Sequence, residues 1–259
     1  MTNNKLQGKR IVITRPINRS KVLAELIEDN GGTAIIVPTL ELQLVKSPEL
    51  IEIAENIDDY DWIIFTSPAG VKSFFNVYQG SEISSKIAVI GVKTEEILNK
   101  YGYKPDIIPE TFTAEGLLEA FEDIDIKDNH IALPRTLSAR KVLPEGLEAL
   151  GANVQVAESY KSTIPKDTSS IMQLADSIID NDVDVITFTS PLTVKNFLDV
   201  IKMDDEEKYE KVLNKLKDDI IVLSIGPITG NMLKEYDLDA IQPDRYTVKD
   251  MINTLIENI

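Results

Sequence analysis

The chain has 259 residues, of which 43% are hydrophobic, enough to bury two cores of ordinary size. Its 27 Lys and Arg residues stand against 43 Asp and Glu residues, and the formal net charge of −16 argues against a broad nucleic-acid-binding surface. The chain has no cysteine and one histidine, which excludes disulfides, thiol chemistry and a His-rich metal site.

The sequence has no membrane signal. No stretch approaches the roughly 18 consecutive apolar residues of a membrane span. The first residues, Met1–Lys5, contain no apolar signal region. We therefore expect a soluble, intracellular protein that binds neither membranes nor nucleic acid.

Short apolar runs alternate with segments of helical spacing through the first half of the chain. Strands are predicted at Ile11–Thr14, Ala34–Val37, Trp62–Phe65, Ala88–Ile90 and Ile107–Ile108. Helices are predicted at Val22–Ile27, Leu50–Asn56, Thr94–Lys100 and Ala114–Phe121. Gly31, Gly32 and, later, Gly151 are interpreted as the ends of helices.

The second half follows the same alternation. Strands are predicted at Val154–Val156, Val185–Phe188 and Ile221–Leu223, and a last helix near Asp250–Ile256. The stretch Asp204–Lys211 mixes charges at helical spacing, which predicts a solvated helix face.

The two halves are copies of one pattern. Three pairs of segments match in the same order: Asp61–Phe75 with Asp184–Phe197, Arg10–Pro16 with His130–Arg135, and Ile87–Thr94 with Ile221–Thr229. The duplication predicts two similar domains. It also predicts a cleft between them, because ligands often bind where domains meet.

Alternating strands and helices predict the fold class. Parallel strands need helical crossovers, so the chain is expected to form two similar α/β, doubly wound parallel-sheet domains. Extended segments at Pro38–Val45 and Tyr160–Pro165 occupy equivalent places in the copies. If the chain crosses between domains there, one domain is discontinuous. Two contiguous domains divided near Ile126 are the alternative, and the pattern alone leaves both open.

Polar side chains follow the strands of both copies. Ser67-Pro68 and Ser190-Pro191 each stand where a buried strand ends and a helix begins, which is typical of a helix N-cap. The same positions lie at the carboxyl edge of a parallel sheet, where open α/β folds bind ligands, and helix N-termini attract anions. Capping and ligand binding are both consistent with these serines.

Further candidates for ligand binding stand at the same edge. They are Arg15, Thr94 and Thr229, together with Arg135 and Arg140, which could pair with carboxylates. Tyr160 opens the second extended segment and could donate its hydroxyl proton. The sequence contains neither a dinucleotide-binding glycine fingerprint nor a phosphate-binding P-loop. His130 begins a strand far from these motifs, which argues against a catalytic triad.

Taken together, these motifs resemble the uroporphyrinogen-III synthase family. The resemblance lies in Val12–Pro16, Asp61–Pro68, Asp184–Pro191, the Tyr160 strand, Ile225–Thr229 and Pro243–Thr247, in that order across nearly the whole chain. It implies a cytoplasmic, monomeric enzyme without metal or cofactor. It implies a discontinuous domain of residues 1–37 and 166–259, a second domain of residues 42–160, and a two-stranded linker of residues 38–41 and 161–165.

The resemblance also implies a reaction. Enzymes of this family cyclise hydroxymethylbilane, a linear tetrapyrrole with many carboxylates, and invert its terminal D ring through a spiro intermediate. By matching motifs, Tyr160 is the expected proton donor, and the expected substrate-binding residues are Arg15, Ser67, Thr94, Arg135, Arg140, Ser190 and Thr229. The alternative from another class is a two-lobed, hinge-closing protein that binds a small polyanion without catalysis.

Overall fold

The computed structural model describes residues 4–259 of the chain. The strands are β1 (Arg10–Ile13), β2 (Thr33–Ile36), β3 (Glu41–Leu44), β4 (Trp62–Phe65), β5 (Lys86–Val89), β6 (His130–Arg135), β7 (Asn153–Glu158), β8 (Tyr160–Thr163), β9 (Val185–Phe188) and β10 (Ile221–Ser224). The helices are α1 (Ile17–Glu28), α2 (Pro48–Glu55), α3 (Pro68–Phe75), α4 (Val92–Lys100), α5 (Ala114–Glu122), α6 (Val142–Ala149), α7 (Ser169–Ile179), α8 (Pro191–Asp204), α9 (Glu206–Asp218), α10 (Pro227–Lys234) and α11 (Val248–Glu257). A 3₁₀ turn is found at Ile57–Asp59.

The chain divides into two compact units. Unit 1 comprises Met1–Glu41 and Ser162–Ile259, and unit 2 comprises Leu42–Lys161. Unit 1 is therefore built from two separate parts of the chain, whereas unit 2 is continuous. Strands β3 and β8 pair with each other in a two-stranded sheet.

Each unit contains one four-stranded parallel sheet. The strand order is β10-β9-β1-β2 in unit 1 and β5-β4-β6-β7 in unit 2. When the repeat-equivalent strands are matched, the two orders are identical. The predicted α/β class with two similar parallel-sheet domains is thus confirmed.

Helices cover both faces of each sheet, and the central strands β4 and β9 are buried throughout. In unit 1, alternate residues of β1 enter different cores, with Val12 on one face and Ile11 and Ile13 on the other. In unit 2, the Trp62 ring meets the Phe121 ring edge to face at 5.0 Å in one of its two cores. The continuous apolar runs of the sequence therefore fit strands buried on both sides.

Polar contacts join the two separated parts of unit 1. The Arg10 side chain pairs with Asp184 at 3.1 Å and with Asp182 at 2.7 Å. Deeper in the sheet, the Thr14 hydroxyl donates to the Thr187 carbonyl at 2.8 Å, and the Thr187 hydroxyl donates to the Val12 carbonyl at 2.8 Å. These buried hydroxyls satisfy backbone carbonyls where β1 and β9 lie side by side. The two strands come from the two separate parts of the chain that form unit 1.

The charged stretch at Asp204–Lys211 differs in detail from its prediction. Asp205 interrupts the helix and becomes the N-cap of α9, accepting from the Lys208 backbone N–H at 2.9 Å. The charged side chains are largely exposed, as predicted, but Tyr209 and Val212 are buried against the unit 1 core. The α9 helix is therefore amphipathic, and its apolar face packs against the protein.

The strand predicted at Ile107–Ile108 is not formed. Ile107 forms only an isolated bridge to Ala88 instead of a regular strand. Within residues 4–259, no helix is both long enough and apolar enough to cross a bilayer.

Candidate functional site

The carboxyl ends of the parallel strands place the candidate residues at one edge of each sheet. Ser190, Thr229 and Arg15 lie at this edge in unit 1. Ser67, Thr94 and Arg135 lie at the corresponding edge in unit 2. His130 lies at the amino end of β6, is exposed, and is therefore remote from these residues, as predicted.

Ser67 and Ser190 cap the helices that follow β4 and β9. The Ser67 Oγ accepts from the Gly70 N–H at 3.2 Å, and the Ser190 Oγ accepts from the Thr193 N–H at 3.3 Å. A proline occupies the first turn of each helix, as predicted. The capping role is confirmed. It leaves the positive end of each helix dipole directed at the sheet edge.

Arg135 is the most informative side chain in unit 2. It ends β6 and is only 6% exposed, which is rare for an arginine without an acidic partner. Its Nη2 donates to the Arg140 carbonyl at 2.9 Å, and none of the described carboxylates forms an ion pair with it. Burial lowers the pKa of Arg135, while the nearby Tyr160 opposes that shift. The structure therefore brings Arg135 and Tyr160 into one neighbourhood.

Arg140 plays a different part from Arg135. Its guanidinium is exposed and binds both carboxylate oxygens of Glu115 on α5, at 2.7 and 3.1 Å. This pair raises the pKa of Arg140 and lowers the pKa of Glu115. The Arg140 charge is thus already compensated, and its backbone carbonyl supports Arg135.

Ser159 is a buried residue that no sequence motif indicates. It is fully buried between β7 and β8, and its Oγ has no hydrogen-bond partner in the described part of the chain. Its backbone is fixed, because its N–H donates to the Arg135 carbonyl at 3.0 Å and its carbonyl accepts from Val45 N–H at 2.9 Å. Ser159 therefore joins the end of β6 to the start of β8, next to both Arg135 and Tyr160 in the backbone. Its place directly before Tyr160 is the only signal that the sequence offered.

Gly70 explains how the α3 N-terminus comes close to the strand that carries Arg135. A Cβ at Gly70 would lie 2.8 Å from the Pro134 carbonyl oxygen, so only glycine permits this approach. The Ser67 cap and the end of β6 therefore belong to one side of unit 2. Tyr160, half-buried at the start of β8, follows Ser159 directly.

Arg15 is the repeat-equivalent of Arg135 in unit 1. It is half-buried after β1, and among residues 4–259 no carboxylate pairs with it. Burial, and secondarily the positive charge of Arg19, lower its pKa. Its backbone carbonyl accepts from the Ser20 hydroxyl at 3.0 Å, which holds the turn into α1. The equivalent strands β1 and β6 thus each lead to an arginine, Arg15 after β1 and Arg135 at the end of β6, that lacks an acidic partner in the described chain.

Thr94 and Thr229 are equivalent residues in the first turns of α4 and α10, and both are almost fully buried. The Thr94 hydroxyl donates to the Ile90 carbonyl at 3.0 Å, so it supports its own helix. Thr229 lines a pocket of about 260 Å³ together with Ser190 and Tyr246. Of the predicted residues in unit 1, the pocket unites Ser190 and Thr229 but not Arg15.

The residues described by the structure contain no cluster of three or more His, Asp or Glu side chains that could hold a metal ion. The available donors are guanidinium groups, hydroxyls and helix N–H groups. Such a set is suited to binding carboxylates by hydrogen bonds and charge.

Comparisons with known proteins point to one family. A family model described as uroporphyrinogen-III synthase HemD matches residues 21–253. A Methanothermobacter thermautotrophicus protein provisionally named a uroporphyrinogen-III synthase is 46% identical over 251 residues, covering 95% of this chain and 96% of the relative. A uroporphyrinogen-III synthase from Synechococcus elongatus is 28% identical over 242 residues, covering 91% of this chain and 89% of the relative.

Solved structures show the same fold. Uroporphyrinogen-III synthetase from Helicobacter pylori superposes with a TM-score of 0.57 at 12% identity, covering 97% of this chain and 99% of the other. A mutant uroporphyrinogen III synthase from Thermus thermophilus superposes with a TM-score of 0.53 at 17% identity, covering 96% and 98%. These identities are low, so the structures support the fold alone.

Proposed function

The chain belongs to the uroporphyrinogen-III synthase family, and we propose that its strand-end arginines and helix N-termini bind the substrate carboxylates while Tyr160 donates a proton. The activity is the cyclisation of hydroxymethylbilane, with inversion of the terminal D ring and loss of water, in tetrapyrrole biosynthesis. The reaction changes no oxidation state, so it requires no redox cofactor.

The unpaired, buried Arg135 carries this proposal. Removing a cation from water costs several kcal/mol unless an anion compensates it. The chain has 43 acidic residues, yet none that the structure describes pairs with Arg135. A substrate carboxylate would supply the missing charge, and a guanidinium can bind it through two hydrogen bonds. Arg15 offers the same group in unit 1.

The capped helices add donors that carry no net charge. The first N–H groups of α3 and α8 have no acceptor within their own helix, and the helix dipole favours an anion there. Ser67 and Ser190 orient these ends. Local donors of this kind explain how a protein of net charge −16 can bind a polyanion. The substrate carries many carboxylates, and each unit offers such donors at its own sheet edge.

Tyr160 is the proposed general acid. Its phenol would donate a proton to the hydroxyl of the hydroxymethyl group, so that the C–O bond breaks, water leaves and an azafulvenium cation forms beside the Tyr160 phenolate. The substituted carbon of ring D attacks the methylene to give the spiro intermediate, which fragments and closes again with ring D inverted. A proton is lost when the last pyrrole regains aromaticity, and this proton restores Tyr160.

The substrate is reactive by itself, so geometry is the main contribution of the enzyme. Holding both ends of a flexible chain in one orientation supplies the proximity that ring closure needs. The acid contributes on the order of 10²-fold, near the lower end of the usual range. Selectivity for the inverted isomer follows from binding more than from acid strength.

We also propose that the protein acts as a monomer in the cytoplasm. The internal duplication supplies two similar units within one chain, so a second chain is not required to provide two sets of donors. Sedimentation of the purified protein and fractionation of the source cells test these two points.

The isomer assay tests the function. Hydroxymethylbilane is generated by its upstream synthase, this protein is added, and the oxidised products are separated by chromatography. We expect the type III isomer to dominate. If only the type I isomer of spontaneous closure appears although the substrate binds, the chain is a polyanion-binding protein without catalysis.

A further inference from the structure

An aromatic ring covers the glycine that follows the last strand of each repeat. In unit 1, the Tyr246 ring lies so close to Gly226 that a Cβ there would be 2.8 Å from Cδ1 of the ring. In unit 2, Phe112 lies against Gly91, with its Cβ and Cγ each 3.6 Å from the position of a Cβ there. The two glycines are the N-caps of α10 and α4. The arrangement is thus repeated at the same edge of both sheets.

The local sequence repeats as well. The segments Pro109–Thr113 and Pro243–Thr247 share a pattern of proline, two variable residues, an aromatic residue and threonine. Thr113 and Thr247 cap the next helices, and their Oγ1 atoms accept from backbone N–H groups at 3.0 and 3.1 Å. The rings therefore stand at the position before a helix cap.

A residue at this position usually packs into its helix as part of a hydrophobic staple. Phe112 is 55% exposed and Tyr246 is 62% exposed, so a large part of each ring remains in water. The contact with the glycine therefore occupies only part of each ring. An exposed aromatic at a ligand-binding edge is a candidate contact for a ligand.

The surroundings of Tyr246 are apolar. The pocket that it lines with Pro191 and Ile228 has an almost entirely apolar lining, although Ser190 and Thr229 also border it. Its volume of about 260 Å³ lies just below the range of pockets that hold whole drug-sized ligands, roughly 300–1,000 Å³. The pocket therefore fits one substituted ring and not a whole tetrapyrrole.

Exposed aliphatic residues accompany the arginines in both units. Ile17 stands two residues after Arg15 and is 72% exposed, and Leu137 stands two residues after Arg135 and is 64% exposed. Each carboxyl edge thus presents cationic and apolar groups together. This combination matches a ligand that carries carboxylates on apolar aromatic rings.

We propose that Tyr246 and Phe112 are substrate-positioning residues, each stacking its exposed face on one pyrrole ring of the tetrapyrrole. The proposal rests on the proposed function and deepens it. Offset stacking suits two aromatic rings, and an aromatic face also stabilises the positive charge that develops when the hydroxyl departs. Fixing the plane of a pyrrole restricts which carbon attacks, so these rings contribute to the choice of isomer.

The test compares leucine variants with an exposed tyrosine elsewhere. Tyr246→Leu and Phe112→Leu should each raise KM about 3- to 10-fold, the equivalent of one aromatic contact, and should lower the share of type III product. Tyr246→Phe keeps the ring and should recover most of the affinity lost in Tyr246→Leu. The control is Tyr101→Leu, at the end of α4 away from the carboxyl edge, and it should keep the wild-type KM and isomer share.

Gly226→Ala provides a second route that retains the tyrosine. The added Cβ displaces the Tyr246 ring, so KM should rise as it does in Tyr246→Leu. If the variants have a lower melting temperature but the same KM and isomer share as the control, the rings only anchor their loops. That result overturns the proposal. The product of the wild-type protein shows which hypothesis fails. If the wild type forms the type III isomer and the variants behave like the control, only the stacking role is refuted. If the wild type yields only the type I isomer, the proposed function is refuted.

Discussion

Arg135 donates a hydrogen bond from Nη2 to the backbone carbonyl of Arg140 at 2.9 Å, so a neutral acceptor holds this buried guanidinium. The guanidinium of Arg140 instead pairs with Glu115. Two neighbouring arginines therefore serve different purposes. The Arg140 guanidinium is neutralised within the protein, whereas Arg135 has no acidic partner among the described residues.

Tyr160→Phe should lower kcat by about 10²-fold and still yield measurable type III product. The phenol would supply the proton, while the geometry that selects the isomer remains. Tyr101→Phe is the control, because it removes an exposed hydroxyl elsewhere in unit 2. Steady-state kinetics measure kcat. If kcat of Tyr160→Phe equals that of the wild type, Tyr160 is not the acid.

Ser190→Asp should separate capping from binding at α8. Aspartate is as good an N-cap as serine and favours the helix dipole, so the melting temperature should hold. The new carboxylate would repel a substrate carboxylate at the same helix end, and KM should rise about 10-fold. Asp205→Ser, the reverse exchange at the cap of α9, should leave KM unchanged. An unaltered KM in Ser190→Asp would mean that this helix end binds no substrate.

Thr229→Ala should weaken substrate binding more than it weakens the fold. Loss of one hydrogen bond to the substrate should raise KM about 3- to 10-fold. Thr94→Ala is the comparison, because its hydroxyl already donates to the Ile90 carbonyl, and it should lose about 1 kcal/mol of stability. A large fall in melting temperature with normal kinetics in Thr229→Ala would assign this threonine to the fold.

The Arg10–Asp184 pair predicts a pH dependence of stability. Burial would raise the pKa of Asp184, but hydrogen bonds from Arg10 outweigh it and hold the pKa below the ordinary 3.8. A depressed folded pKa stabilises the protein at neutral pH, and this contribution is lost as the pH falls through that pKa. Asp184→Asn should therefore melt lower than wild type at pH 7, and the difference should shrink below about pH 4.

The control for this pH dependence is Asp199→Asn, which removes a carboxylate from an i,i+4 surface pair with Lys195 in the same unit. Such pairs contribute little, so its melting temperature should stay near wild type. If the difference in melting temperature between Asp184→Asn and wild type stays constant down to pH 3, the stabilisation comes from packing and hydrogen bonding and not from the charge of Asp184.

The features that sequence reasoning predicted depend on local pattern. Apolar runs, helical spacing and the duplicated order led to the parallel sheets, because strands buried on both faces must be apolar throughout. The Ser-Pro pairs predicted the caps of α3 and α8, because capping needs only a few adjacent residues. The precise limits of the linker at residues 38–41 and 161–165 stay a prediction.

The remaining site features depend on contacts between distant residues. The hydrogen bond between Arg135 and Ser159 joins residues 24 positions apart in the sequence, and the bond between Arg140 and Glu115 joins residues 25 positions apart. Nothing local indicates that Arg135 is buried without a carboxylate or that the Ser159 hydroxyl lacks a partner. The apolar face of α9 was not predicted for the same reason. The local sequence of α9 is dominated by charged residues, and which of its side chains are buried depends on packing against other helices.

Arg135→Met tests the central claim most directly, with KM and melting temperature measured on the same preparation. Replacing an unpaired buried cation by an apolar side chain is often neutral or stabilising, so the melting temperature should hold or rise, whereas KM should increase at least about 10-fold. The control is Lys86→Met, which removes the same charge at the amino end of β5. An unchanged KM with a lowered melting temperature would show that Arg135 supports the fold and binds no substrate.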